Sequence, residues 1–188
     1  MQFFRTMTCV ALVGVGAPAS AQNTDWSGFY AGGQLEFATA DLDNMAGTTL
    51  NEGQGLMIGA SGGYRFDGGD VVFGVTGAAL FGSTSLEPVV PAATPDPTLD
   101  MLLRAGIEIG YDLGPVLVTG GLGQTFGVMT DATNSRRTEF GSYFAIGADY
   151  MVSDEIMVGA EITRTNLDNF AGSDLSVTSF GIGAAYRF

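Results

Sequence analysis

The side chains able to do chemistry are few and one-sided. The 188-residue chain carries seven basic residues, all arginine, against twenty acidic ones, with no histidine and a single cysteine, Cys9. A serine or water nucleophile needs a base whose pKa lies near the working pH, and histidine is the side chain that supplies one unperturbed. A buried carboxylate is the substitute left to this chain. The usual transition-metal ligand sets, built from histidine and cysteine, are missing as well. No catalytic, cofactor-binding or metal-ligating residue is assigned, and no cofactor is expected. The formal charge of −13 argues against nucleic acid as a partner.

What remains is ion-pair chemistry: Glu36, Arg65, Arg104, Glu108, Asp112, Asp149, Glu161 and Arg187. Each falls on the polar side of an alternating stretch, so the elements that position them can be read from the alternation. The last stretch, 175–188, shows it plainly. Phe180, Ile182, Ala184, Tyr186 and Phe188 alternate with Ser179, Gly181, Gly183, Ala185 and Arg187. Period two marks a strand with one greasy face. Its length suits a tilted membrane-spanning strand, about 9–11 residues. The same pattern predicts strands at 27–40, 54–66, 71–83, 99–113, 116–129, 139–152 and 155–167. Strand 99–113 sets Leu99, Met101, Leu103, Ala105, Ile107, Ile109 and Tyr111 against Leu102, Arg104, Gly106, Glu108, Gly110 and Asp112. In strand 116–129, Gln124 falls on the apolar parity, which leaves the register there open or calls for a bulge.

Composition points the same way. Charged residues make up 14% of the chain and glycine 29 of its 188 residues, a low charge fraction for a soluble domain. No apolar run reaches the 18 or so residues of a spanning helix. A membrane protein without helices must be a closed barrel, because hydrocarbon leaves no unpaired backbone group tolerable. Residues 1–21 read as a cleaved secretory signal: Arg5, an apolar core at 7–17, and Ala19-Ser20-Ala21 before Gln22. Cleavage removes Cys9 and Arg5, taking the formal charge from −13 to −14. Residues 22–188 then form one domain.

Eight strands fit an antiparallel, up-and-down transmembrane β-barrel. Its connections alternate long and short, the short turns lying at 67–70, 114–115 and 153–154. Outer-membrane barrels have short periplasmic turns and longer external loops. Both termini are therefore expected in the periplasm, with external loops centred near Asn44, Pro91, Asn134 and Phe170. Tyr64, Tyr111, Tyr150 and Tyr186 each end a descending strand with the greasy face, and with Trp26, Phe66 and Phe188 they form an expected interfacial girdle. Phe37, Phe81, Phe126 and Phe140 form a second one. A soluble barrel would point its charges outward and fill its interior with apolar side chains.

Two stretches carry a family resemblance. The start Trp26-Ser27-Gly28-Phe29-Tyr30-Ala31-Gly32-Gly33 is similar to that of porin-like surface proteins, and the end Ala185-Tyr186-Arg187-Phe188 resembles an outer-membrane assembly signal. The chain resembles the OmpA-like family of small outer-membrane β-barrels, over the barrel only. The resemblance implies no peptidoglycan-binding domain, recognition of Tyr186 and Phe188 by the barrel-assembly machinery, and residence among outer-membrane lipids and lipopolysaccharide. Enzymes among outer-membrane barrels use an active-site histidine, so this chain is expected not to be an enzyme. The leading functional expectation is a structural and surface-interaction protein whose loops meet lipopolysaccharide, host or partner proteins. A small, weakly cation-selective pore is the alternative, favoured by inward glycines that leave room for water. A lipid-modifying enzyme stands third.

Inside the barrel, Arg65, Arg187, Asp112 and Asp149 are expected to form a balanced layer near the periplasmic ends. Arg104 should pair with at least one of Glu36, Glu108 and Glu161 higher up. The loop carboxylates, among them Asp41, Asp131 and Asp168, read as a solvated surface; a sharper reading has them share Ca²⁺ or Mg²⁺ with lipid phosphates. Arg136, Arg137 and Arg164 could meet such phosphates directly.

Overall fold

The computed structural model describes residues 24–44, 49–88, 98–130, 135–170 and 173–188. The leader with its cleavage point, and the loop positions Pro91, Asp131 and Asn134, lie outside the described residues. Eight strands pair in chain order: β1 (Gly28–Asn44), β2 (Thr49–Asp67), β3 (Val71–Pro88), β4 (Thr98–Asp112), β5 (Val116–Thr130), β6 (Arg136–Met151), β7 (Ile156–Phe170) and β8 (Ser173–Arg187). All neighbours are antiparallel, and β1 pairs with β8 to close the barrel. Among the described residues no helix is long and apolar enough to cross a membrane.

Alternation sets the two faces. Leu56, Ile58 and Phe140 are each 63% exposed on the outside, while Glu36 and Arg104 are 2% and 6% exposed inside. A greasy-out sheet without edges leaves no backbone group unpaired toward lipid. A hydrogen-bonded row that leaves β8 at Tyr186 and circles through Ala31, Gly77 and Gln124 returns to β8 at Ser176, ten residues further along the strand. That stagger is what tilts the strands of a small barrel, typically by about 35–45°.

One end of the barrel, the terminal end, holds the start of β1, the end of β8 and the three short turns. Gly69 and Gly114 turn two of them with φ of 100° and 85°, conformations that side chains other than glycine rarely adopt. The other end, the loop end, has strands that overrun their expected limits: β1 continues to Asn44, β2 starts at Thr49 and β6 at Arg136. Beyond the bilayer both faces of a strand are wet. The ladder continues there without apolar alternation, so the sequence signal fades first.

Two register readings change. The ladder between β4 and β5 slips between Leu99 and Met101. The extra residue reverses parity, so Leu99, expected outside with Met101 and Leu103, is fully buried inside. Gln124 needs no bulge. Its ladder is unbroken, paired with Ala105 and Ser142, and its side chain is exposed on the outer face.

The interior holds two apolar layers. Toward the loop end, Ala38, Met57, Leu80, Leu99, Leu102, Met129, Leu167 and Leu175 pack into one cluster. Trp26, Tyr30, Val72, Leu117 and Met157 form another at the terminal end. The polar residues lie between.

Candidate functional site

Arg65, on β2, organises the lower polar layer. Its Nε donates to Glu108 Oε1 at 2.8 Å and its Nη2 to Glu108 Oε2 at 3.2 Å and to Asp149 Oδ2 at 2.6 Å. The guanidinium lies over the Tyr30 ring, 4.6 Å from its centroid. Tyr30 Oη sits 3.1 Å from Thr76 Oγ1 and 3.3 Å from Glu108 Oε1. One buried cation is thus held by two carboxylates and an aromatic face, the geometry in which arginine outperforms lysine.

The upper layer is built on Arg104 of β4. Its Nη1 donates to Glu36 Oε1 at 2.7 Å, with both side chains almost fully buried. Ser179 Oγ donates to Glu36 Oε2 at 2.7 Å and Gln34 Nε2 to Glu36 Oε1 at 2.9 Å. Glu36 has its lone pairs well used, as a buried carboxylate requires. Arg104 Nε is buried without a partner among the described residues.

The remaining expected members fall elsewhere. Glu108, placed with Arg104 by depth, pairs with Arg65 instead. Glu161 joins neither arginine; it accepts from Thr163 Oγ1 at 2.8 Å and borders a cavity of about 130 Å³. Gln34, Thr119, Tyr143 and Gly147 also line that cavity, which has room for several waters. Asp112 takes no cation among the described residues. It accepts Trp26 Nε1 at 3.2 Å and the Gly114 N–H at 2.6 Å. Arg187 also leaves the expected layer. It reaches the rim, where its guanidinium donates to the carbonyls of Asp154, Asp25 and Ser27. The balanced layer of two arginines and two aspartates is therefore replaced by Arg65 alone between Glu108 and Asp149.

Most of the inward glycines that crowd these side chains do not leave space for water. Gly74 is the register partner of both Arg65 and Glu108. A Cβ there would meet Glu108 Oε1 at 2.6 Å, so the ion pair occupies the room the glycine leaves. Gly159 stands in the same relation to Asp149.

Trp26 corrects the girdle. It is 1% exposed and lies inside the terminal mouth, with its backbone N–H on an Asp67 carboxylate oxygen at 3.0 Å and its indole near Arg65. It precedes β1, so strand parity did not govern it. Asp25 beside it accepts the Ser27 N–H at 2.8 Å. That bond first, then the Ser27 hydroxyl and the Arg187 charge, hold its carboxyl below the ordinary carboxylate range. The other girdle residues lie outside. Tyr64 meets Phe29 and Phe66 edge-on, each at 4.6 Å, and Tyr186 meets Phe188 at 5.1 Å. Tyr111 and Tyr150 are exposed on the same face.

Sequence reading missed Tyr30, Tyr143 and Ser179 as members of the interior network. Their signal was inward parity at the depth of an arginine, and Tyr143 lies 6.0 Å from Arg104. Among the described residues no group of acidic, histidine or cysteine side chains comes together to hold a metal ion.

Paired charges shut between apolar layers, inside a closed sheet with a greasy exterior, define a small integral β-barrel membrane protein. The chain belongs to the outer membrane protein beta-barrel domain family, whose model matches residues 7–188, and the outer membrane is its location. Its fold is similar to that of Neisserial surface protein A, with 20% identity and a TM-score of 0.60 over 86% of this chain and 98% of that one. It is similar also to Ail, the attachment invasion locus protein of Yersinia pestis, with 17% identity and a TM-score of 0.53 over 86% and 99%. No curated protein matches the chain.

Proposed function

We propose that the protein is a non-conducting, non-enzymatic outer-membrane barrel with a structural and surface-interaction role. Its loop end faces the exterior and its terminal end the periplasm. The observation that carries the reading is the filled interior: apolar layers at both ends enclose the Arg65 and Arg104 networks. A barrel packed in this way serves as an anchor and presents its loops to lipopolysaccharide, host molecules or neighbouring proteins. Ail, alike in fold, has been solved with the heparin analogue sucrose octasulfate, a precedent for ligand contact on such a scaffold. Export by the 1–21 leader, cleavage after Ala21 and handling of Tyr186 and Phe188 by the assembly machinery belong to the same proposal.

The cavity beside Glu161 favours a second reading, a small cation-selective pore, because carboxylates outnumber arginines around it. Purified protein in a planar bilayer separates the two. The anchor gives no single-channel steps; resolved cation-selective steps would establish the pore. Single cysteines at Gly69 and Pro91 test the orientation, with Pro91 expected to label on intact cells and Gly69 not. A leader cleaved elsewhere by more than a few residues, seen in the mass of the mature chain, removes the assignment of 22–188.

A further inference from the structure

The barrel wall does not close to the same height all the way round. Toward the loop end most ladders run to the ends of their strands. Asp43 pairs with Thr49, Thr98 with Thr130, Thr130 with Arg136, and Asn44 with Ser173. The ladder between β6 and β7 stops sooner, at Gly141 and Leu167. Above that pair β6 continues to Arg136 along β5. β7 continues to Phe170 along β8, and its register shifts after Leu167, an irregularity of the kind that bends a strand away. A notch therefore opens between the two hairpins, with β6 at 136–140 as one wall.

The ladder below the notch shows which backbone groups face it. Val152 N–H bonds the Ile156 carbonyl at 2.8 Å, on the β7 side, and Met151 N–H bonds the Pro115 carbonyl at 2.9 Å, on the β5 side. In an antiparallel ladder the N–H and C=O of one residue share a side, and the side alternates along the strand. β6 keeps one register against β5 from Tyr150 to Arg136. Arg136 and Thr138 therefore aim both of their backbone groups into the notch, where β7 gives them no register partner among the described residues. The notch lies beyond Phe140, the outward girdle ring of β6, so these groups stand outside the apolar band. The connections 131–134 and 171–172 join neighbouring strands and are too short to turn and run back along β6.

We propose that the notch is a docking edge for an extended peptide segment of another protein, which adds a strand to β6. Main-chain donors and acceptors at strand spacing are matched by another peptide backbone. Side chains then set the preference. Arg136, Thr138 and Phe140 share the outward face of the edge and are exposed. A segment antiparallel to β6 meets them in reverse order, at every second residue. It places an apolar residue beside Phe140, a β-branched one beside Thr138 and an acidic one beside Arg136, the cross-strand pairs that stabilise a sheet. A second copy of the chain is the weaker occupant. Copies inserted the same way up carry their β6 strands in the same direction, so edge against edge sets Arg136 opposite Arg136, and like charges there repel. The inference rests on the proposed surface-interaction role, with the loop end outward.

The test uses the full chain in phosphatidylcholine nanodiscs, which leave both ends of the barrel open to solution. The probe is a fluorescent peptide, Thr-Val-Thr-Val-Thr-Glu-Thr, with binding read by anisotropy. It is expected to bind about tenfold more tightly than the same peptide N-methylated at the residues facing Thr138 and Arg136, which keeps every side chain and removes the main-chain donors. Replacing its glutamate by lysine should weaken binding, and Arg136→Glu should reverse that preference. Thr138→Pro removes an N–H from the edge, where proline is tolerated, and should abolish binding. Thr138→Ala keeps the backbone and should bind like the parent. Each variant is first shown to be folded by its heat-modifiable gel mobility. No saturable binding, equal binding of the N-methylated peptide, or binding untouched by Thr138→Pro overturns the site. So does efficient disulfide dimerisation of Thr138→Cys in vesicles, which would identify a second copy as the occupant. The cysteine labelling above tells this failure from that of the orientation. If Pro91→Cys labels on cells while N-methylation changes nothing, only the docking edge falls.

Discussion

Arg65 and Glu108 join over a glycine. They lie on β2 and β4, and Gly74 of β3 is the register partner of both. The two side chains meet above it at 2.8 and 3.2 Å, so a pair that skips a strand forms because the strand between offers no side chain.

Gly74→Ala is therefore expected to destabilise the barrel by about 1–3 kcal/mol, the usual range for overpacking. Gly77→Ala is the control, since a Cβ there meets its nearest atom at 3.5 Å, an ordinary contact. Urea unfolding in lipid vesicles measures both. Equal effects would show that the glycine is not shaped to the ion pair.

Arg65→Met removes the cation and leaves Glu108 and Asp149 facing each other. Breaking a buried pair costs roughly 3–5 kcal/mol. Neutralising the carboxylates as well, in Arg65→Met with Glu108→Gln and Asp149→Asn, should recover most of that stability. A triple variant no more stable than Arg65→Met would argue for packing rather than charge.

Arg104→Ala should cost an amount of the same order, reduced where cavity water reaches Glu36. Any residual conductance should become more cation-selective, since the upper layer then keeps only carboxylates. An effect within about 0.5 kcal/mol of the parent is that of a surface site and would contradict the buried pair.

Trp26 is the chain's only tryptophan, so its fluorescence reports one place. Its emission should be blue-shifted, poorly quenched by aqueous acrylamide, and poorly quenched by brominated lipid chains. Strong bromolipid quenching would return it to the girdle.

Deleting Phe188 should lower outer-membrane levels while leaving folding in detergent nearly intact. Its ring is 77% exposed, beside Tyr186, so little packing is lost. Normal levels of the truncated chain would remove its role in assembly.

Strand number, closure and sidedness were all legible, because a bilayer imposes one strict rule on every spanning residue and period two records it. Pairing inside the lumen was less so. Depth along a strand can be read from sequence, and it put Arg65 near Asp149. It could not show that Glu108, two strands away, reaches Arg65 over Gly74. Leu99 was misplaced because a bulge leaves no compositional mark, and Trp26 because it lies before the first strand. Asp112 and Arg187 lie where the lumen opens, and at a rim a parity rule no longer decides between a side-chain partner and a backbone carbonyl.

Arg187 has a bearing on time as well as on shape. Its guanidinium gathers the carbonyls of Asp25, Ser27 and Asp154, and the next residue's N–H meets the Phe29 carbonyl at 2.8 Å. The earliest and latest parts of the described chain are thus clasped by residues that arrive last. A chain still lacking its final strand has no means of fastening that clasp. Without β8 the sheet is left with two unpaired edges, on β1 and β7. Sealing the chamber completes the barrel.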